Sequence, residues 1–331
     1  MSVIEDVNRI NDELSIALCT CEGSFYLPEQ LESLVGQSFL PGELVVFDDA
    51  SSDNSAELIE AFAGRAPFKV RLALNEKRLG AVNNFSQAIS LCRGDYVALC
   101  DQDDIWLPDK LELTMQRMKE AEEAYGKTTP LLVHTDLKVI DSAGIIIAPS
   151  FMKLRKLKPA QDDPLKILCA QNFVTGCTVL INRPLIDAAI PIPESAMMHD
   201  WWLALVAAAR GKIIYEPQAT VLYRQHEKNV IGSRGFYTEE NIARLLDMKN
   251  MEKKLAGTVD QLRALKGRLE GFPNGKRTSE LDYYLAAASQ GGVKALLAAL
   301  RGGIRNAGLF RSAVFYLLLL KGSYTKEIRD D

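Results

Sequence analysis

Four times between residues 14 and 125 a short apolar run of strand type gives way to a stretch of helical period, and this alternation constrains the fold more than any other feature. "LSIALCT" precedes "LPEQLESLVGQ", with Pro28 near the helix start. "ELVVFDD" precedes "SDNSAELIEAFAG", which Ser52 or Asp53 can cap and Gly64 can end. "FKVRLAL" leads through "NEKRLG" to "AVNNFSQAISLC", and "GDYVALC" leads through "DQDDIW" to "LPDKLELTMQRMKEAEEAYG". Repeated strand-then-helix units build a parallel, doubly wound α/β sheet, because parallel neighbours need crossover connections. Ligands of such sheets bind beyond the carboxyl ends of the strands. Thr20, Asp48, Asp49, Asn75 and Asp101 all fall there.

The fourth strand runs into Asp101, Asp103 and Asp104. Two unit charges about 4 Å apart at an effective dielectric of ~20 repel by roughly 4 kcal/mol, so the cluster calls for positive charge. One reading supplies it as Mg²⁺ or Mn²⁺, held by one or two carboxylates and by substrate phosphates. The other reads the carboxylates as partners of a helix dipole, with Leu107 and Pro108 opening the helix.

Beyond about residue 128 the texture is mixed. "LLVHTDLKVIDSAGIII" reads as two strands around a turn and "NFVTGCTVLINR" as another. "HDWWLALVAAARG" is helical, "KIIYEPQATVLYRQH" is extended with Pro217 at an edge or bend, and from about Tyr237 the chain is helical with a break at "GFPNGKR". With 331 residues, 47% of them hydrophobic, a sizeable core is affordable. A net charge of −4 argues against a nucleic-acid partner. The six cysteines, without C-x-x-C spacing, read as reduced thiols, and the N-terminus lacks a signal-peptide core, so a cytoplasmic protein is expected.

"LSIALCTCEGSFYLPEQLESLVGQSFLPGELVVFDDASSDNS", "LGAVNNFSQAISLCRGDYVALCDQDDIWLPDKL", "HDWWLALVAAARG" and "YRQHEKNVIG" together resemble family 2 glycosyltransferases of GT-A fold, nearest their bacterial rhamnosyltransferase-like branch. The likeness covers roughly residues 14 to 235, implying a catalytic domain over 1–235 and a helical region over 236–331. It implies a nucleotide-sugar donor (dTDP- or UDP-linked, dTDP-rhamnose leading), a glycan or lipid-linked acceptor, and Mn²⁺ or Mg²⁺ as cofactor.

Carried over residue by residue, it makes Thr20, Cys21 and Glu22 the start of the nucleotide segment, with Cys21-Glu22 standing where Tyr-Asn is usual. Asp49 accepts from the pyrimidine N3–H. Arg78 or Lys77 meets the diphosphate or is solvated, and Asn84 faces donor or helix surroundings. Asp101 reaches ribose or metal, with Gln102 on the donor beside it. Asp103 is the principal metal ligand; Asp104 either shares the acidic turn's role or only caps the following helix. Asp200 is the general base, flanked by Trp201 and Trp202, while His199 is structural. His226 completes the metal site, and imidazole suits Mn²⁺ better than Mg²⁺. Arg224 and Lys228 clamp phosphate, and the glycine-bearing loop after His226 closes over the donor. His134, Asp136, Thr175, Gly176 and Cys177 fall where relatives line the sugar and acceptor cleft.

The tail "VKALLAALRGGIRNAGLFRSAVFYLLLLKGSY" combines apolar runs with Lys294, Arg301, Arg305, Arg311 and Lys321. Two readings stand: a surface lying on an anionic bilayer at the inner face of the plasma membrane, or a helical appendage packed on protein. Among rivals, a nucleotidyltransferase would want a basic, glycine-rich loop after the first strand, which "TCEGSFYLPEQ" lacks. A phosphohydrolase would carry its D-x-D after an early strand. A non-catalytic assembly subunit would not need Asp103, Asp200 and His226.

Overall fold

Alternate residues of the first strand point to opposite faces, and each face has found its own core. In the computed structural model, which describes residues 9–157, 159, 162–226, 247–270 and 275–328, β1 (Arg9–Thr20), β2 (Phe39–Asp48), β3 (Lys69–Leu74) and β4 (Tyr96–Asp101) lie parallel in the order β3-β2-β1-β4. Leu14, Ile16 and Leu18 face the helices α1 (Leu27–Val35), α2 (Ser55–Ala63) and α4 (Lys110–Tyr125). Ala17 and Cys19 face α3 (Ala81–Leu91) and α8 (His199–Arg210). A period of two in the strand thus meets a period of 3.6 in the helices on both sides.

The second half completes the sheet in mixed fashion. β8 (Val179–Asn182) runs antiparallel to both β4 and β6 (Leu131–Ile140), and β9 (Lys212–Arg224) is parallel to β6. β7 (Ile146–Ala148) pairs with β6 across the expected turn. Register slips between Thr135↔Glu216 and Asp136↔Ala219, so Pro217 sits in a bulge where no ladder N–H is required.

Two expectations are corrected. The fourth helix does not open at Leu107–Pro108: Ile105–Trp106 form a two-residue strand, β5, paired with β9, and α4 begins at Lys110 with Asp109 at its N-cap. Asp104 therefore caps no helix. In α2 the N-cap is Asn54, while Asp53 accepts from Ser55 N at 3.1 Å.

Short helices α5 (Phe151–Leu154), α6 (Leu165–Leu168) and α7 (Arg183–Ala189) fill the connections. Beyond 226 come helices Met248–Leu269, Gly275–Ala288, Gly292–Gly302 and Leu309–Lys321. Leu255, Val259, Leu262 and Leu265 join Trp202, Leu203 and Val206 of α8 in one core, to which Ala299, Phe315 and Leu319 also belong. The expected boundary at 235/236 lies outside the described residues, as do Lys228 and the loop after His226.

Candidate active site

Sheet register assembles the site. Thr20 stands level with Asp48, Asp48 with Leu74, and Cys19 with Asp101, so the expected residues gather at the carboxyl ends of neighbouring strands. β8 runs antiparallel to β4, so the turn before it, Gly176–Thr178, reaches the end at which Asp101 lies. β5 pairs antiparallel with β9, Ile105 opposite Leu222, which returns Arg224 and His226 alongside Asp103 and Asp104. His226 Nε2 lies 2.8 Å from Asp103 Oδ2, joining residues 123 positions apart.

The carboxylates differ in environment. Burial first, then the charges of Asp103 and Asp200, pushes Asp101 upward. Asp104 is pushed well up by burial and by its two acidic neighbours; its Oδ1 accepts from Arg224 N at 3.1 Å. Positive charge is supplied from within. The Arg224 guanidinium, 2% exposed, donates to Asp103 O (3.0 Å), Ser142 O (3.1 Å) and Glu29 Oε2 (2.5 Å), and lies 4.7 Å from the Tyr26 ring centre. Tyr26 in turn stacks on His226 at 4.8 Å. Lys110 is fully buried, its Nζ 4.3 Å from the Trp106 ring centre; burial lowers its pKa to about 8, while Asp104 is among the groups pulling the other way. Arg224 thus fixes the backbone of the acidic turn, a role that the phosphate-clamp expectation did not contain.

Asp200 sits in the first turn of α8, 6% exposed. Oδ1 accepts from Trp201 N (2.6 Å) and Asn172 Nδ2 (3.0 Å), and Oδ2 from Gly176 N (3.0 Å). Burial nevertheless pushes the carboxyl up to about 6. Trp201 donates to Leu168 O and Trp202, fully buried, to Ala189 O, each at 2.8 Å. A Cβ on Gly176 would stand 2.7 Å from His199 Nε2, so the close approach this glycine permits is to His199, which stacks on Phe85 at 3.8 Å.

On the nucleotide side, Gln102 ties β4 to β1: its Oε1 accepts from Thr20 Oγ1 (2.6 Å) and Cys21 N (2.8 Å), and its Nε2 donates to Cys21 O (3.1 Å). Glu22 adopts φ 50°, held by Ser51 Oγ on its N–H, and its carboxylate accepts from Ser52 and pairs with Arg78. Backbone strain of this kind persists where surrounding contacts impose it. Asp49 accepts from Asn75 Nδ2 (2.9 Å), Leu79 N (2.7 Å) and Gly80 N (2.9 Å). Asn84, buried, bridges Asn75 and Phe47 O. Lys77 is exposed.

His134 is buried near Phe173 and Tyr215, and burial pushes its imidazole down to about 3. Asp136 accepts from Leu137 N and lines a separate cavity of about 570 Å³ with Lys138, Ser150 and Tyr215; Asp101, Asp103, Asp200 and His226 take no part in it. The sequence reading named Thr20, Cys21 and Gln102 without their mutual hydrogen bonds, and it missed Tyr26, Asn172 and Lys110. Only the aromatic character of Tyr26 offered a one-dimensional signal.

The residues fit a divalent ion. Asp101, Asp103 and His226 offer oxygen and nitrogen donors at one strand end. Oxygens of Asp101 and Asp104 and the Cys177 sulfur also lie within 4.8 Å of one another. Burial and Asp104 hold the Cys177 thiol well above its ordinary pKa, so it stays protonated and makes a poor ligand for a hard cation. A hard cation such as Mn²⁺ or Mg²⁺ would draw on the oxygens of Asp101 and Asp104 rather than on the thiol, and the Asp103–His226 pair lies at the same strand end.

A mostly parallel sheet with helices around it, whose carboxyl ends gather Asp101, Asp103 and Asp104 near the buried Asp200, is the GT-A type of fold. The pattern of Glycosyl transferase family 2 matches residues 15–180, half of the chain, and the chain belongs to that family. Its relatives include the Mycobacterium tuberculosis protein Rv1520, of uncharacterised function, 29% identical over 220 residues, or 66% of this chain and 60% of that protein's length. A dTDP-rhamnosyl transferase, RfbG of Shigella flexneri, is 28% identical over 228 residues, 65% of this chain and 74% of its own. Among solved structures, residues 1–349 of Staphylococcus aureus TarS with UDP-GlcNAc superpose with a TM-score of 0.56 at 14% identity, covering 95% of this chain and 90% of that one. The mannosyltransferase PcManGT of Pyrobaculum calidifontis, with GDP-Man and Mn²⁺, gives 0.54 at 15% identity, covering 97% and 86%. At such identities the likeness bears on the fold.

Proposed function

We propose that the chain is an inverting, metal-dependent glycosyltransferase that moves a sugar from a nucleotide diphosphate donor to a bacterial surface glycan or a lipid-linked acceptor, with L-rhamnose from dTDP-rhamnose as the leading donor. The observation that carries this reading is the Asp103–His226 contact at 2.8 Å, made at the strand end where Asp200 also raises the pKa of Asp101. The rhamnose assignment draws on the Shigella relative's name.

Asp200 takes the proton from the acceptor hydroxyl as its oxygen attacks the anomeric carbon, and the nucleoside diphosphate leaves from the opposite face. Its three N–H partners fix the orientation of the carboxylate, and its burial keeps it basic enough for that proton. Asp49 already accepts three hydrogen bonds, and a carboxylate has about four acceptor sites, so one remains for a pyrimidine N3–H. A divalent ion held by Asp101, Asp103 and His226 would neutralise charge on the departing diphosphate. Arg78, exposed and paired with Glu22, would exchange that carboxylate for the donor's diphosphate.

A UDP-hexose donor is the second reading, favoured by the TarS complex with UDP-GlcNAc, since uracil and thymine present the same N3–H. A thermal-shift series with UDP- and dTDP-sugars, with and without Mn²⁺, tests both: a ligand that binds the native state raises its melting temperature. The expected result is a Mn²⁺-dependent shift largest with dTDP-rhamnose, abolished by EDTA. A larger shift with a UDP-hexose selects the second reading, and no shift with any donor overturns both.

A further inference from the structure

Helices Gly292–Gly302 and Leu309–Lys321 each bury one face in the core, through Ala295, Ala298 and Ala299 on the first and Phe315, Leu318 and Leu319 on the second. Their outer faces are apolar too. Val293, Leu297 and Leu300, spaced i, i+4, i+7, are 61%, 57% and 51% exposed; Leu309 and Phe310 are 92% and 71% exposed, and Leu317 and Leu320 continue the stripe of Phe310. A helix packed on a protein and facing water would carry polar residues there. From Tyr283 to Lys326 the chain has no Asp or Glu, and it carries Lys294, Arg301, Arg305, Arg311, Lys321 and Lys326. Among the described residues only Lys321 of these is paired with a carboxylate, Glu252 at 2.7 Å. Lys294 reaches Gln290 Oε1, Arg305 reaches Gly303 O, and Arg301 lies over the Tyr283 ring. Among the described residues no helix is long and apolar enough to cross a membrane.

We propose that these two stripes seat on the surface of an anionic lipid bilayer, Leu309 and Phe310 entering the acyl boundary while Lys294, Arg301 and Arg305 meet headgroup phosphates. Charge decides the occupant. A second copy docked about a two-fold axis would set this cationic patch against itself, whereas an anionic surface complements it.

The position of the stripe gives it a purpose that rests on the transferase reading. Ala307 N donates to Gln171 Oε1 at 3.0 Å, and the next residue, Asn172, donates to Asp200 at 3.0 Å. Phe310 is three residues beyond Ala307, so its Cα lies within about 11 Å of that anchor. Seating the stripe on a bilayer therefore anchors to the membrane the same segment, Gln171–Asn172, that holds Asp200.

Flotation of the full chain with phosphatidylcholine vesicles, with and without phosphatidylglycerol and at low and high salt, tests the surface. The expected result is flotation that requires phosphatidylglycerol and weakens with salt. The Leu309→Ser/Phe310→Ser double variant should lower partitioning about tenfold or more, and Arg301→Glu/Arg305→Glu should remove the phosphatidylglycerol dependence. Both should keep the wild-type melting temperature and donor-induced thermal shift. Absence of phosphatidylglycerol-dependent flotation overturns the proposal. So does a dimer in solution that the double serine variant converts to monomer, since that gives the stripes to a second copy. A missing donor shift with flotation intact counts against the transferase reading alone and leaves the bilayer surface standing.

Discussion

At the scale of single residues, the site is a set of carboxylates kept chemically distinct by their surroundings. Asp200 is buried, and three N–H groups hold it in one orientation while burial pushes it up to about 6. A base must be deprotonated to act, so kcat/KM should rise with pH through about 6 and level off above it, with a tenfold loss per pH unit on the acid side. A profile flat from about pH 5 to about pH 8 would remove Asp200 from the base role. Asp200→Asn should lower kcat by about 10²- to 10⁴-fold while the donor-induced thermal shift persists; unchanged turnover contradicts the assignment. Asp103 and His226 were legible in the sequence as a motif and a late histidine. Lys110 was not, because a lysine in a helix of polar character reads as solvated, and nothing in one dimension shows that Trp106 and Cys177 enclose it. Arg224 was read as a phosphate ligand for the same reason: a guanidinium has five donors, and only the fold tells which acceptors take them.

Elements explain why those residues meet. The four strand-then-helix units were readable from apolar periodicity, and with them the strand ends at Thr20, Asp48 and Asp101. The two-residue strand Ile105–Trp106 was hidden, since a pair of residues carries no period, yet its pairing with β9 is what returns His226 to Asp103. Arg224 locks that return. Arg224→Met should leave Asp103 O, Ser142 O and Glu29 without their donor and destabilise the fold by about 2–4 kcal/mol, read by urea unfolding; a loss within about 0.5 kcal/mol would mean that the turn holds itself. On the opposite side, the turn before β8 holds Asp200 through the Gly176 N–H. A Cβ there meets His199 Nε2 at 2.7 Å, so Gly176→Ala should displace the turn and lower kcat with little change in donor affinity. Adding His199→Ala opens the space and should restore part of the loss. Failure of that second substitution to restore any turnover would show that Gly176 acts through something other than clearance.

At the scale of the whole molecule, the sequence left open whether the C-terminal helices rest on protein or on lipid, because amphipathic periodicity marks an apolar face without naming its partner. The structure shows an apolar face on each side of the last two helices, one of them packed in the core. Helix Met248–Leu269 docks beneath α8: Leu262 and Val259 are fully buried with Trp202, Gln261 Oε1 accepts from Met197 N at 3.1 Å, and Arg268 donates to Pro191 O at 2.7 Å. Met197 precedes the turn that carries Asp200, so the helical region supports the floor of the site as well as offering an outer surface. We therefore expect a chain ending at residue 246 to expose the underside of α8 and to give no soluble, nucleotide-binding monomer. Leu262→Ala, a smaller perturbation of the same contact, should cost about 2–5 kcal/mol in urea unfolding and shift one cooperative transition that includes the sheet. If instead the shortened chain folds and shows the donor-induced thermal shift of the full protein, or Leu262→Ala splits unfolding into two transitions with only one displaced, the helices form a separate folding unit, and orientation of Asp200 rests on the sheet alone.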